Sequence, residues 1–253
     1  MTEVVALCGF AFIAGLVDAV AGGGGLIQVP ALFAIFPALP APILLGTNKL
    51  SAITGTTVAA LRYSWSVPIR WQAILPAAGI AGMGAIAGAK TVTLLDPAVL
   101  RPLLVVLLGG MTVYTLTRPK FGENAEAAPI NQGGSSFFAL SAVFGFYDGF
   151  FGPGAGSVMM FALVRWFGYD FLRAAATTKV LNLATNLGAL VLFMLTGNVL
   201  YAVALPMAAF NIAGGFLGAH FAVRRGSGFI RTVFLVVVVA LIIKISIDMA
   251  KSF

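Results

Sequence analysis

The sequence predicts an all-α, polytopic membrane protein built from two inverted repeats. Three observations predict it: the composition, the spacing of apolar stretches and an internal repeat. Of the 253 residues, 60% are hydrophobic and only 9% are charged, and the mean hydropathy is +1.03. A soluble domain has about 25% charged residues because its surface faces water. Such a low charged fraction instead suits a surface that faces lipid.

Polar or helix-breaking residues divide the chain into ten apolar stretches. They lie at about 4–20, 25–37, 41–61, 71–89, 99–117, 136–151, 153–168, 172–195, 200–222 and 230–250. About 20 helical residues cross a 30 Å hydrocarbon core, so the third, fourth, fifth, eighth, ninth and tenth stretches are predicted to span the membrane. The other four stretches are shorter and form two pairs, each joined by a glycine-rich break. We interpret each pair as a re-entrant or short helical hairpin, which gives 8–10 membrane segments in all.

The longest polar stretch, 118–136, contains charges, proline and glycine and has no apolar periodicity. These are the features of a linker. The predicted organisation is a first membrane repeat at 1–118, a linker at 119–135 and a second membrane repeat at 136–253.

The two halves align without a gap at an offset of 130 positions, as from Asp18 to Asp148. Rare polar, proline and arginine residues match at this offset, which chance rarely produces, so the alignment predicts a genuine internal repeat. The matched pairs are Asp18 and Asp148, Gly22 and Gly152, Gly24 and Gly154, Thr47 and Thr177, Lys49 and Lys179, Pro76 and Pro206, Gly84 and Gly214, Gly88 and Gly218, and Arg101 and Arg231.

Charge placement predicts that the repeats are inverted. The loop after the third stretch holds Arg62 and Arg70, whereas its counterpart around 196–198 is uncharged. The 37–42 loop is uncharged, whereas its counterpart at 165–173 is charged. Because basic loops stay on the cytoplasmic side, equivalent loops are predicted to lie on opposite sides of the membrane. With three spanning helices per half, both termini are expected outside.

The two hairpin tips, at 18–28 and 148–157, are the first candidate site. In each, an aspartate lies one turn before a glycine-rich break, and a new helix follows. The start of a helix offers unpaired N–H groups and the positive end of the helix dipole, which suit an anion. The alternative is close packing of helices through small residues, which needs no ligand.

Lys49 and Lys179 strengthen this hypothesis. Each lies about eight residues, hence about 12 Å, into a spanning helix, near the middle of the membrane. A lysine at that depth is costly and is expected to face a cavity or a partner. One interpretation is that both attract an anionic substrate. The other is a structural ion pair, Lys49 with Asp18 or Lys179 with Asp148.

The predicted site therefore combines the tips with the segments around the two lysines. The predicted substrate-binding residues are Gly22, Gly23, Gly24, Gly25, Gln28, Thr47, Asn48, Lys49, Gly152, Gly154, Gly156, Ser157, Thr177, Thr178, Lys179 and Asn182. Asp18 and Asp148 are the candidates for proton coupling. With one histidine and one cysteine, the sequence predicts no metal site, no cofactor and no catalytic residue.

These motifs resemble those of the sulfite exporter TauE/SafE family. The first half contains AGLVDAVAGGGGLIQVPAL followed by GTNKLSAITGT, and the second contains FGFYDGFFGPGAGSVMM followed by TTKVLNLATN. The resemblance covers nearly the whole chain. It implies an inner-membrane transporter of sulfite, sulfonates, sulfur-containing carboxylates or related organic anions. Thr178 stands where the first half has Asn48, so the halves need not contribute equally.

The leading functional prediction is a secondary transporter that works by alternating access around a midplane anion site. The expected partners are a small anion, the lipid bilayer and coupling protons. No Walker A pattern is present, which argues against ATP hydrolysis. The alternative is a passive anion channel. An intramembrane enzyme acting on lipid phosphates is disfavoured by the single histidine, and nucleic-acid binding by the placement of basic residues in short loops.

Overall fold

The computed structural model describes residues 2–96 and 134–251, with side chains of the final segment described to 230 and at 232, 233 and 236. The predicted fifth stretch and most of the predicted linker lie outside this part of the chain. The described residues form helices only, which confirms the all-α prediction. They are α1 (Thr2–Ala21), α2 (Gly25–Ile35), α3 (Ala41–Ser64), α4 (Trp71–Leu94), α5 (Ser135–Phe150), α6 (Ala155–Phe167), α7 (Phe171–Leu195) and α8 (Tyr201–Lys251). The backbone of α8 breaks at Gly226.

Four of these helices are long and apolar enough to cross a membrane: α1, α4, α7 and α8 as far as Ile230. Two differences from the sequence prediction stand out. The 4–20 stretch was expected to be too short, but α1 extends to 20 residues. The α3 helix has 24 residues but is less apolar, because it contains polar residues such as Thr47, Asn48 and Lys49. The α2 and α6 helices, at 11 and 13 residues, are short, as predicted.

The two halves have equivalent helix bounds and equivalent packing. The second, third and fourth helices of the first half begin at 25, 41 and 71, and their counterparts begin at 155, 171 and 201. The packing crosses between halves, since α1 packs along α8 and α5 packs along α4, while α3 contacts α7. The two halves therefore pack against each other, and the two glycine-rich tips lie where they meet.

Equivalent helices α3 and α7 run in opposite directions where they touch. Gly46, in the second turn of α3, lies against Phe193 in the last turn of α7 and against Asn198, which follows that helix. Ten residues further along α3, Thr56 accepts a hydrogen bond from Asn186, earlier in α7. An inverted repeat predicts such a contact. The inverted arrangement of the two halves and their orientation relative to a membrane stay predictions.

Glycines allow the crossed packing. A Cβ atom placed on Gly15 of α1 would lie 2.5 Å from the carbonyl oxygen of Asn211 in α8. The equivalent Gly145 of α5 meets the backbone of Ala81 in α4 in the same way. Small residues at such contacts let helix backbones approach closely in a membrane protein.

The helix ends form a basic end and an opposite end. At the basic end, the 65–70 loop meets the 168–170 loop, and Ser227 bonds Asp170. At the opposite end, Leu200 donates its backbone N–H to Thr47 near the start of α3. Segments at the basic end carry Arg62, Arg70, Arg165, Arg173, Arg224 and Arg225. By the positive-inside rule this end is expected to face the cytoplasm.

Candidate functional site

The two glycine-rich tips touch each other at the centre of the molecule. Ser157 donates its backbone N–H to the Gly22 carbonyl at 3.2 Å and its hydroxyl to the Ala21 carbonyl at 2.7 Å. Gly22 and its counterpart Gly152 both have positive φ, at 74° and 88°. That conformation is costly for other residues. A side chain on Gly22 would also collide with the backbone of Gly156. The glycines thus permit both the turn and the contact between tips.

Two lysine–aspartate pairs cross between the halves beside these tips. Lys49 Nζ lies 3.0 Å from Asp148 Oδ2, and Lys179 Nζ lies 2.6 Å from Asp18 Oδ2. This corrects the alternative from the sequence, which paired each lysine with the aspartate of its own half. Asp18, near the end of α1, meets Lys179 of α7 in the other half, and Asp148 of α5 meets Lys49 of α3.

The two pairs are related by the repeat but have different surroundings. Lys49 also donates to the Asn186 amide oxygen at 3.0 Å, and Asp148 accepts a hydrogen bond from Thr185. Both side chains of the Lys49–Asp148 pair are nearly buried, at 4% and 7% exposure. In the other pair the lysine is fully buried, whereas the Asp18 side chain is 22% exposed. One pair is thus enclosed together, and the other is open on its acidic side.

A cavity of about 40 Å³ lies between the tips and helices α1, α3, α7 and α8. It brings together many of the predicted residues. The predicted residues in its lining are Asp18, Gly22, Gly24, Gly25, Gln28, Asn48, Lys49, Asp148, Gly152, Gly156 and Asn182.

The remaining predicted residues lie outside this lining. They are Gly23, Thr47, Gly154, Ser157, Thr177, Thr178 and Lys179. Thr47 donates to the Ile43 carbonyl at 2.6 Å and accepts from Leu200. Ser157 joins the tips, Thr177 lines a second cavity, and Lys179 reaches the central cavity only through Asp18.

The cavity also contains residues absent from the predicted substrate-binding set: Ala14, Ala52, Thr56, Asn186 and Asn211. Thr56 and Asn186 each lie seven residues beyond Lys49 and Lys179. Seven residues are about two helical turns, so this spacing places them on the lysines' face and could have identified them. The two alanines carry no polar signal. The Asn211 amide bonds Ala11 and Gln28, each at 3.0 Å.

Three amide groups of the lining have a buried atom without a hydrogen-bond partner. They are Gln28 Nε2, Asn48 Oδ1 and Asn182 Oδ1. An unpaired buried polar atom costs about 1–3 kcal/mol. Each of these atoms belongs to a side chain that lines the cavity. The arrangement therefore offers one buried ammonium, amide groups and two carboxylates to a small polar molecule.

Comparison with known proteins gives a consistent result. The model of the sulfite exporter TauE/SafE family matches residues 7–245. The chain is 35% identical over 240 residues to "Probable membrane transporter protein ORF9" of Sinorhizobium sp, covering 94% of this chain and 90% of the relative. It is 36% identical over 222 residues to a "Probable membrane transporter protein" of Haemophilus influenzae, covering 87% and 85%.

A third relative is "Probable membrane transporter protein YfcA" of Escherichia coli K12, which is 33% identical over 238 residues and covers 94% and 87%. No solved structure matches the chain.

Proposed function

This chain belongs to the sulfite exporter TauE/SafE family, and from that premise we propose that it is a secondary transporter of a small anion. The family and the apolar helices establish a multi-pass membrane transporter. The proposed substrate is sulfite, an organosulfonate or a related organic anion. The proposed location is a bacterial-type inner membrane, and the proposed mechanism is alternating access around the central cavity.

The observation that carries this proposal is Lys49 on the wall of a small buried cavity. Its ammonium group is almost removed from solvent, at 4% side-chain exposure, and is held by Asp148 and Asn186. A buried ammonium attracts anions more strongly than an exposed one, because little water screens it. Gln28 Nε2, an amide N–H donor without a hydrogen-bond partner, lies in the same lining. Amide N–H groups can donate to oxyanion oxygens, so the lining fits a small oxyanion.

Charge balance suggests how an anion and a proton could move together. The central cluster has two lysines and two aspartates, so its ionised form has no net charge. An anion that replaced Asp148 on Lys49 would leave a buried carboxylate without its cation. Such a charge is costly, and a bound proton would remove it. We therefore propose that substrate binding and protonation of an aspartate are linked.

The position of the cavity suits alternating access. It lies where the two tips and both halves meet, and the ion pairs that border it each join one half to the other. A relative movement of the halves would alter both ion pairs and the access to the cavity. Transporters with inverted repeats typically bind substrate at the repeat interface.

The test is transport by the purified protein in proteoliposomes. A thermal-shift screen against sulfite, sulfate, thiosulfate, sulfoacetate, taurine and small carboxylates first selects the anion. Flux of the radiolabelled anion is then measured against its concentration. We expect saturation, and we expect the paired variant Lys49→Gln/Asp148→Asn to lose most of the flux. Lys90→Gln, a change at an exposed lysine on α4, is the matched control.

Different outcomes separate the two candidate functions. Flux that stays linear with concentration and ignores a pH gradient would favour the passive channel. If saturable flux persists in the paired variant, the central cavity is not the transport site. If no anion shifts the melting temperature and none is transported, the substrate class is wrong.

A further inference from the structure

A second cavity, of about 210 Å³, lies at the basic end of the molecule. We call it the vestibule. It lies between the loop that joins α3 to α4 and the start of α7. Its lining residues are Pro68, Ile69, Arg70, Ile74, Tyr169, Arg173 and Thr177. It is larger than the central cavity, and neither aspartate of the central cluster lines it.

Two arginines give the vestibule its charge. Arg70 is exposed, and it takes part in none of the ion pairs found between described residues. Arg173 pairs with Asp170 through Nε at 3.4 Å, and both side chains are about half exposed. A long, exposed pair of this kind is weak. Both guanidinium groups therefore remain available to an anion, and the planar fork of arginine matches oxyanion geometry.

Tyr169 supplies a buried polar group on the same wall. Its side chain is 3% exposed, and its hydroxyl makes no hydrogen bond of normal geometry. Thr177 lies close enough to interact with it. Burial raises the pKa of Tyr169 to about 12, although Thr177, Arg70 and Arg173 act to lower it. The hydroxyl thus stays protonated at neutral pH and can donate a hydrogen bond.

The equivalent place at the opposite end of the molecule is built differently. At the 130-residue offset, Arg70 corresponds to Leu200, and Tyr169 corresponds to Leu39. There the Thr47 hydroxyl, counterpart of Thr177, accepts the Leu200 N–H at 2.9 Å. This hydrogen bond joins the start of α8 to the first turns of α3. The internal repeat therefore does not reproduce the vestibule at the opposite end. Its arginine and tyrosine groups belong to the basic end.

We propose that the vestibule is a second anion-binding site. Its ligand class, a sulfur oxyanion or the sulfonate group of a larger molecule, rests on the proposed function. Arg70 and Arg173 would neutralise the anion, and the Tyr169 hydroxyl would donate to one of its oxygens. Thr177 lies two residues before Lys179 on α7, about 3 Å of helix rise. The site would thus hold the anion at the basic end, beside the helix that reaches the central cluster.

The test measures sulfate binding at this place directly, without transport. A single cysteine replaces Ile69 in a Cys8→Ser background, and the purified full-length protein reacts with a neutral maleimide. A neutral reagent is used because its approach does not depend on the local charge. Sulfate at saturation should slow labelling of Ile69→Cys. Arg70→Gln/Arg173→Gln should weaken this protection by roughly tenfold or more in sulfate concentration, since two charge-assisted contacts are lost. Tyr169→Phe should weaken it less.

Two controls make the result specific. Val199→Cys is the counterpart of Ile69→Cys at the opposite end, has similar partial burial and should not be protected. Lys49→Gln/Asp148→Asn removes the ion pair that lines the central cavity and should leave protection intact. Protection that survives the arginine changes, or that is equal at Val199→Cys, would overturn the vestibule site. Loss of protection in the central variant would also overturn it, because sulfate would then act from the central cavity. If the protein did not transport the anion but the vestibule still bound sulfate, the protection of Ile69→Cys from labelling would be unchanged.

Discussion

The two intramembrane lysines have the same position in the repeat but different accessibility. Lys49 lines the central cavity and has two polar partners, Asp148 and Asn186. Lys179 is fully buried and donates a hydrogen bond to Asp18. An anion in the cavity can therefore approach Lys49 directly, whereas Lys179 is screened by its aspartate.

The first prediction separates these roles. Lys49→Ala should weaken anion binding while the protein stays folded in detergent, and Lys49→Arg should rescue it only in part because a planar fork replaces a compact ammonium. Lys179→Ala should weaken anion binding less, because Lys179 does not line the cavity, but it should lower the melting temperature, since removing one partner of a buried pair costs about 3–5 kcal/mol. Thermal unfolding and ligand-induced thermal shifts measure both effects.

The paired variant Lys179→Gln/Asp18→Asn is the control for this comparison. It removes both charges together, so it should recover much of the stability that Lys179→Ala loses. Normal binding of every identified substrate by both alanine variants would mean that the lysines are purely structural. An equal loss of binding in both would place substrate on Lys179 as well.

The second prediction concerns Asp18 and Asp148. An asparagine keeps the size of the side chain but fixes its charge at zero. In proteoliposomes with an imposed pH gradient, Asp18→Asn and Asp148→Asn should abolish gradient-driven accumulation more strongly than they slow equilibrative exchange. The reason is energetic: moving one charge against the membrane potential costs about 2.3 kcal/mol per 100 mV, which a coupled proton must supply. Undiminished uphill transport in the double variant would remove both aspartates from the coupling.

At the scale of the helices, close packing through glycine sets the positions of the hairpins. Gly15 brings α1 against α8, and Gly145 brings α5 against α4. These contacts fix the long arm of each hairpin to the last described spanning helix of the other half. The hairpin tips then meet between them, as the Ser157–Gly22 hydrogen bond shows.

The third prediction tests this packing. Gly15→Ala should destabilise the protein by about 1–3 kcal/mol, because the new methyl group would lie 2.5 Å from the Asn211 carbonyl and force the helices apart. Gly9→Ala, on the same helix with open space around it, is the matched control. It should be neutral or slightly stabilising, because alanine favours a helix more than glycine does. Equal melting temperatures for the two variants would show that the α1–α8 contact is not tight.

At the scale of the whole molecule, the basic end and the opposite end contain different loops. The uncharged loops around 37–40 and 196–200 lie at the opposite end, and the 65–70 and 168–173 loops lie at the basic end. This grouping is the one that charge placement predicts. Their assignment to the two sides of a membrane rests on the positive-inside rule.

The fourth prediction is this topology. In a Cys8→Ser background, single cysteines at Pro40 and Asn198 should react with a membrane-impermeant maleimide added outside intact cells. A cysteine at Ser66 should react only from the inside, since it belongs to the basic end. The three positions are exposed or partly exposed, so a lack of labelling reports sidedness. Labelling of the Ser66 cysteine from outside would refute the inverted arrangement.

The sequence alone determined the class of the protein and much of its central lining. Composition forces a lipid-facing, helical chain, because a bilayer satisfies no backbone polar groups. Rare residues such as Asp18 and Lys49 stood out, because a charge in an apolar stretch is costly without a role. The offset of 130 then identified their equivalents in the second half, Asp148 and Lys179. The spacing of Thr56 from Lys49, about two helical turns, would have extended the predicted lining.

Only the tertiary structure decided which residues meet. Spacing along a helix defines a face but does not say which helix packs against it, so pairing within one half was as reasonable as the crossed pairs that form. The difference between Lys49 and Lys179 arises in the same way, from unlike neighbours at equivalent positions. Tyr169 has no motif around it, and its place beside Arg70 exists because two distant loops meet. Contacts between segments far apart in sequence depend on how the helices pack, and a local pattern does not contain that information.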